Sequence, residues 1–169
     1  VNILVIDDDP ILGAFLKEVL KSEGHQVILA RNSVDGVQRF QDVAIELALV
    51  DVELGEAVCG CDVARRLKAI SSNQNRFVPV ILLTGMMDDM ALTDCLDQGA
   101  DDLVSKPFNR NLLEAKIRAW ERVISWFETR IAAHEHALKE ARKSSGAALL
   151  SPAELDVLRN ASHDYRKGS

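Results

Sequence analysis

The sequence predicts an α/β fold: a doubly wound parallel sheet built from (βα)5 units, followed by an extended C-terminal coiled-coil helix. Three observations predict it. Short apolar runs of strand length recur along the chain, each bounded by loop residues, and runs without polar alternation belong to strands covered on both faces. Segments of helical periodicity separate the runs, which makes the connections crossovers between parallel strands. Beyond the last run, apolar residues repeat in alternating steps of four and three from Leu113 to Ala141, the spacing of a coiled coil.

The elements follow in order. Val1–Ile6 is the first strand. Pro10 to Glu23 is a helix, with Pro10 in its first turn and Gly24 past its end. Val27–Ala30 is the second strand, and Ser33–Phe40 a short helix with Val37 and Phe40 inward. Leu47–Val50 is the third strand and Asp62–Ile70 the third helix, ahead of a polar loop from Ser71 to Arg76. Val80–Leu83, the helix Asp88–Gln98 and the strand Leu103–Ser105 complete the alternation. A final helix starts near Asn109 and meets no glycine before Gly146.

Polar residues stand where the apolar strands run out. Asp7 and Asp8 follow Ile6, Asp51 follows Val50, Thr84 follows Leu83, and Lys106 follows Ser105. In open parallel sheets the ligand site lies beyond the carboxyl ends of the strands, so one crevice gathers these groups. Crowded carboxylates stay ionised only around a cation, and a hard, all-oxygen site suits Mg2+. Such an ion beside an aspartate is what phosphoryl transfer needs, with the aspartate as nucleophile. Lys106 supplies a point charge for phosphate oxygens, and Thr84 a hydroxyl donor.

In these strand-end residues, residues 1–120 resemble the receiver domain of two-component response regulators. The matching elements are Val5-Ile6-Asp7-Asp8, Val50-Asp51, Leu83-Thr84-Gly85, Gly99-Ala100-Asp101 and Lys106-Pro107-Phe108. The resemblance implies a flavodoxin-like fold with strand order 2-1-3-4-5. It makes Asp51 the phosphoacceptor, and it assigns Mg2+ to Asp7, Asp8 and Asp51 with the backbone carbonyl of Glu53. Lys106 and Thr84 report the phosphate to the surface, and the Lys106-Pro107 bond is cis. The implied partner is a histidine kinase or phosphotransfer protein. The protein is then a switch and not an enzyme beyond its own phosphorylation and dephosphorylation.

The sequence also departs from the family pattern. Leu54-Gly55 stands where a Met-Pro pair is common, and Gly60 falls nine residues after Asp51 where eight is usual, so the loop from Glu53 to Asp62 carries one extra residue. Glu53 and Met86 occupy the positions that tune hydrolysis of the acyl phosphate. Leu103 replaces the aromatic residue that often pairs with the threonine and cannot make its polar contact.

The charge is uneven. Residues 1–104 hold 8 Lys and Arg against 18 Asp and Glu, and residues 105–169 hold 12 against 8. The acidic part suits Mg2+ and a basic partner face, and does not suit nucleic acid. No apolar run approaches membrane-spanning length, so no membrane is expected. The chain starts at Val1 with no signal-peptide pattern, and a cytoplasmic location is expected. Cys59, Cys61 and Cys95 are read as free thiols in a reducing compartment, ahead of a metal or redox role for the Cys59-Gly60-Cys61 pair.

The heptad stripe comprises Leu113, Ile117, Trp120, Ile124, Phe127, Ile131, His134, Leu138 and Ala141. Ile at the first core position of successive heptads favours a parallel two-stranded coil. Lys116 would then face the partner's Glu121, and Arg130 the partner's Glu135. Residues 113–145 are therefore expected to form a homodimer through the extended fifth helix. Lys143 to Ala148 forms a linker. Ser151, Pro152 and Glu154 then open a capped helix that resembles the start of a LuxR-type helix-turn-helix output domain, truncated at residues 150–169. Without a recognition helix this fragment should not read DNA, although a full-length protein could. A second match, Ser162-His163-Asp164-Tyr165-Arg166, resembles a phosphoacceptor histidine box, but Lys167-Gly168-Ser169 replace its usual ending. Two alternatives from other classes remain: a Mg-dependent aspartyl-phosphate phosphohydrolase, with Glu53 in the place of the usual acid/base Asp, and a phosphorylation-independent coiled-coil binding module.

Overall fold

In the computed structural model, residues 1–55, 57–85 and 89–144 are described. The chain divides into two compact units, Val1–Phe127 and Glu128–Ser169. The first contains strands β1 (Asn2–Ile6), β2 (Gln26–Ala30), β3 (Leu47–Asp51), β4 (Val80–Thr84) and β5 (Asp102–Ser105). They alternate with helices α1 (Pro10–Ser22), α2 (Ser33–Asp42), α3 (Gly60–Asn73), α4 (Asp89–Asp97) and α5 (Arg110–Ser144). The sheet is parallel throughout, in the order β2-β1-β3-β4-β5.

Strand alternation splits the apolar runs between two cores. Leu4, Ile6, Ala48, Val50, Val80 and Leu82 face α2 and α3, whose Phe40, Val63, Ala64 and Leu67 complete one layer. Ile3, Val5, Leu47, Leu49, Ile81 and Leu83 face the other way and pack with Leu16 and Leu20 of α1 and Leu113, Ile117 and Ile124 of α5. Helices thus cover both faces, as the unbroken apolar runs require. Local caps set the entry angles. Asp9 accepts hydrogen bonds from Ile11 and Leu12 at the start of α1, and Asn32 accepts one from Asp35 at the start of α2. α3 begins two residues earlier than its sequence suggests, because the Cys59 sulfur, not a side-chain oxygen, accepts the Cys61 N–H at the cap.

Two expectations are corrected. Cys61 and Cys95 form a disulfide, and Cys59 alone is free. α3 and α4 lie side by side and bring the two Cα atoms to 5.2 Å, inside the bridging range of roughly 4.4–6.8 Å. Lys116 and Glu121 have partners in their own chain: Lys116 meets Asp102 at 2.6 Å, and Glu121 meets His25 at 3.5 Å. Nearer groups on the same unit contact the side chains that heptad spacing assigns to a second chain.

The heptad stripe itself is divided. Leu113, Ile117 and Ile124 are buried in the core of the first unit, and Phe127 stacks on Phe77 with ring centroids 4.2 Å apart. In the second unit every described residue from Glu128 to Lys143 is exposed, including Ile131, His134 and Leu138. Met86, the linker, the LuxR-like segment and the histidine-box match lie outside the described residues in whole or in part.

Candidate functional site: an acidic crevice at the strand ends

The crevice sits at the carboxyl rim of the sheet. β1 ends at Ile6, so Asp7 and Asp8 leave the strand at this rim, and Asp51 is the last residue of the neighbouring β3. One carboxylate oxygen from each of Asp7, Asp8 and Asp51 lies within 4.8 Å of the others. Asp7 and Asp51 are buried and Asp8 is exposed, so the cluster has a closed floor and an open side. Among the described residues this is the one group of three or more acidic, His or Cys side chains so arranged.

Lys106 enters from the end of β5. Its Nζ lies 2.9 Å from Asp51 and 3.3 Å from Asp7. The peptide bond to Pro107 is cis, and the Lys106 N–H donates to the Thr84 carbonyl, tying this turn to the end of β4. Burial works against the ammonium charge, but the Asp51 hydrogen bond and the charges of both aspartates outweigh it and hold its pKa above the ordinary lysine value. Asp7 shows the opposite balance. Desolvation dominates and raises its pKa, against the Asp9 N–H that it accepts and the nearby Lys106. Three carboxylates thus cluster beside a single lysine.

Thr84 ends β4, one residue beyond Leu83, which is the register partner of Asp51. Its hydroxyl is buried, and it is the one buried side-chain polar atom among the described residues with no hydrogen-bond partner. Leu103 packs against the α2 and α3 core and offers that hydroxyl no polar contact. The Glu53 N–H donates to Asp51 at 3.2 Å. Its carboxylate lies beside Gly85, with Oε2 at ordinary contact distance, 3.5 Å, from where a Cβ on that glycine would stand.

All the predicted protein groups that the structure describes (Asp7, Asp8, Asp51, Glu53, Thr84 and Lys106) thus stand on one rim. Two glycines that close it carried no assigned role in the sequence. A Cβ on Gly60 would collide with the carbonyl oxygen of Asp51, so the longer loop still delivers a glycine where α3 meets β3. Gly55 adopts φ 63° against the Asp8 carboxylate. The available signal was a pair of glycines bracketing a loop that follows a strand-end aspartate.

Comparison with known proteins agrees with this geometry. The chain is 37% identical over 127 residues to the transcriptional regulatory protein CpxR of Escherichia coli (strain K12), covering 75% of this chain and 52% of that one. It is 36% identical over 118 residues to the DNA-binding response regulator MtrA of Mycolicibacterium smegmatis, covering 70% and 49%. The chain thus spans about half the length of these curated relatives. Among solved structures, a BeF3-activated DrrB receiver domain matches with TM-score 0.63 at 28% identity, covering 72% of this chain and 97% of that one. A two-component response regulator from Clostridium difficile matches with TM-score 0.66 at 25% identity, covering 72% and 95%. Within the described residues searched, no helix is long and apolar enough to cross a membrane. Residues 3–118 match the response regulator receiver domain family, and the chain belongs to it.

Proposed function

We propose that this chain is the phosphoacceptor part of a two-component response regulator, with Asp51 as the acceptor. The observation that carries this reading is the convergence of the Asp7, Asp8 and Asp51 carboxylates with Lys106, 2.9 Å from Asp51, beside an unpartnered buried hydroxyl on Thr84. A carboxylate oxygen of Asp51 attacks the phosphorus of a phosphohistidine on a histidine kinase or phosphotransfer protein. The P–N bond breaks, and histidine leaves. Asp7, Asp8, Asp51 and the Glu53 backbone carbonyl are the groups that hold Mg2+, which supplies neutralisation of phosphoryl charge.

Lys106 already bridges Asp51 and Asp7, so it shifts from carboxylate to phosphoryl oxygens as charge arrives. Thr84 then gains an acceptor for its hydroxyl, which draws the β4–α4 turn toward Asp51. The exposed stripe of Ile131, His134 and Leu138 is the surface for a second copy of the chain. Residues 1–120 serve as receiver, the rest of α5 as dimer helix, and residues 150–169 as the start of an output module. Relatives named as transcriptional and DNA-binding regulators support a transcriptional output, and such an output acts in the cytoplasm.

The test is labelling by acetyl phosphate with Mg2+, read by intact mass. The wild-type chain gains one phosphoryl group and Asp51→Asn gains none. Persistent labelling of the variant refutes the assignment. Turnover of a small phosphomonoester would instead favour a phosphohydrolase.

A further inference from the structure

We propose that Cys61 and Cys95 form a reversible thiol–disulfide exchange site that locks α4 to α3 beside the acidic crevice. Among the described residues of α4, Cys95 is the only one that is buried. Ala91 and Leu92 are half-buried, and Met90, Thr93, Asp94, Leu96 and Asp97 are exposed. Met90 alone leaves 79% of its surface in water. The anchor that seats this helix on the core is therefore the residue that is also covalently bonded to α3.

The other end of the bridge leads directly to the crevice. Cys61 lies in the first turn of α3, next to Gly60, which packs on the Asp51 carbonyl without room for a side chain. The Gly60 N–H donates to the Val52 carbonyl, and the free Cys59 thiol reaches the same carbonyl. The bridge thus joins the segment that follows Asp51 to the helix that follows the Thr84–Gly85 turn. Closing a loop with a sequence separation of 34 residues removes conformational freedom from α4, in which Cys95 is the one buried residue among those described.

The chemistry is an exchange. A dithiol reductant attacks the bridge through a mixed disulfide. It leaves as its own disulfide, and Cys61 and Cys95 each take a proton and become thiols. A disulfide oxidant runs the same steps backward. Both bridge sulfurs belong to buried residues, so exchange proceeds through local opening of α4. In a reducing compartment a bridge of this kind is a sensing device and not a structural staple. The oxidised form holds α4 in place. The reduced form leaves it free to answer the state of Thr84. That consequence for signalling rests on the receiver reading, whereas the bridge does not.

The test uses the full chain, treated with oxidised glutathione or with dithiothreitol. Alkylation in denaturant followed by peptide mass analysis should find one labelled cysteine, Cys59, and a linked Cys61–Cys95 peptide after oxidation, and three labelled cysteines after reduction. Amide exchange over Asp89–Asp97 should accelerate at least about tenfold on reduction, with α1 unchanged. Cys95→Ser should match the reduced chain under both conditions, and Cys59→Ser should follow the wild type. If Cys95→Ser fails to fold, the oxidised and reduced wild-type chains decide the matter alone. Failure of the linked peptide to form, or equal exchange of α4 in both states, overturns the proposal. Acetyl phosphate is added to both forms, with protection of α4 on phosphorylation expected in the reduced chain only. Equal protection of both forms overturns the proposed lock. Absence of label in both forms defeats the receiver reading and leaves the peptide and exchange results to judge the bridge.

Discussion

Opposite rims of one sheet each set a lysine against aspartate, and they are built differently. At the amino rim, Asp101 receives Lys68 on both oxygens, at 3.1 and 3.0 Å, and the Val80 N–H at 2.7 Å. Lys68 also donates to the Val78 carbonyl at 3.3 Å and lies over the Phe77 ring. Donors and acceptors match, and the charges balance one to one. At the carboxyl rim, three carboxylates cluster and two of them share Lys106, Asp7 is held against its own charge by burial, and the Thr84 hydroxyl has no partner. The first arrangement fastens α3 to the starts of β4 and β5. The second is incomplete without a cation and an oxyanion. The same residue types give a structural pin where their valences close and a candidate site where they do not.

The largest effect should come from breaking the closed rim. Asp101→Ala leaves Lys68 and the Val80 N–H without their acceptor in a mostly buried setting, and should cost about 2–3 kcal/mol. Thermal unfolding should show a Tm lower by several degrees, with phosphorylation of the folded chain unaffected. Asp101→Asn keeps an acceptor for Val80 and should lose less. A loss of phosphoryl labelling with no loss of stability would erase the distinction between the rims.

Asp7→Asn should act in the other direction. The folded-state pKa of Asp7 is raised, chiefly by desolvation. As pH rises from the ordinary aspartate value of about 4, the unfolded chain gives up this proton first. Stability of the wild type therefore falls through the window between that value and the folded pKa, and the cost persists above it. Without divalent cation, Asp7→Asn and wild type should melt together at low pH, and the variant should melt a few degrees higher at neutral pH. Added Mg2+ should reverse the order, because the ion binds only the folded wild-type cluster with full affinity. Melting curves across pH, with and without Mg2+, check both signs.

The carboxyl rim was legible because its signal is local. An apolar run followed by a polar residue marks a strand end, and parallel strands bring such ends together whatever separates them in sequence. Leu47–Val50 before Asp51 and Val80–Leu83 before Thr84 are of this kind, and the predicted sheet matches the observed one to within a residue at each of these strands. What depends on how helices lie against one another was not legible. The Cys61–Cys95 bridge needs α3 and α4 side by side. Lys116 and Trp120 look like coiled-coil residues by spacing, yet both bond to Asp102 at 2.6 and 3.3 Å. A heptad stripe records which face of a helix is apolar, not what covers it. In α5 its first part is covered by the receiver's own core.

The smallest expected effect tests the open rim most directly. A buried hydroxyl without a partner carries its desolvation cost and returns nothing, so its removal is one of the few polar deletions that should not destabilise. Thr84→Val keeps the branched shape and drops the oxygen. The unphosphorylated chain should keep its stability or gain up to about 1 kcal/mol. In the dithiothreitol-reduced chain, acetyl phosphate should still label Asp51, but amide exchange in the β4–α4 turn and α4 should no longer respond to the label. Thr84→Ser retains the donor and should retain that response, at the cost of one buried methyl group. A destabilised Thr84→Val would mean that the hydroxyl is satisfied before any phosphoryl group arrives. The contrast between the rims would then rest on their carboxylates alone.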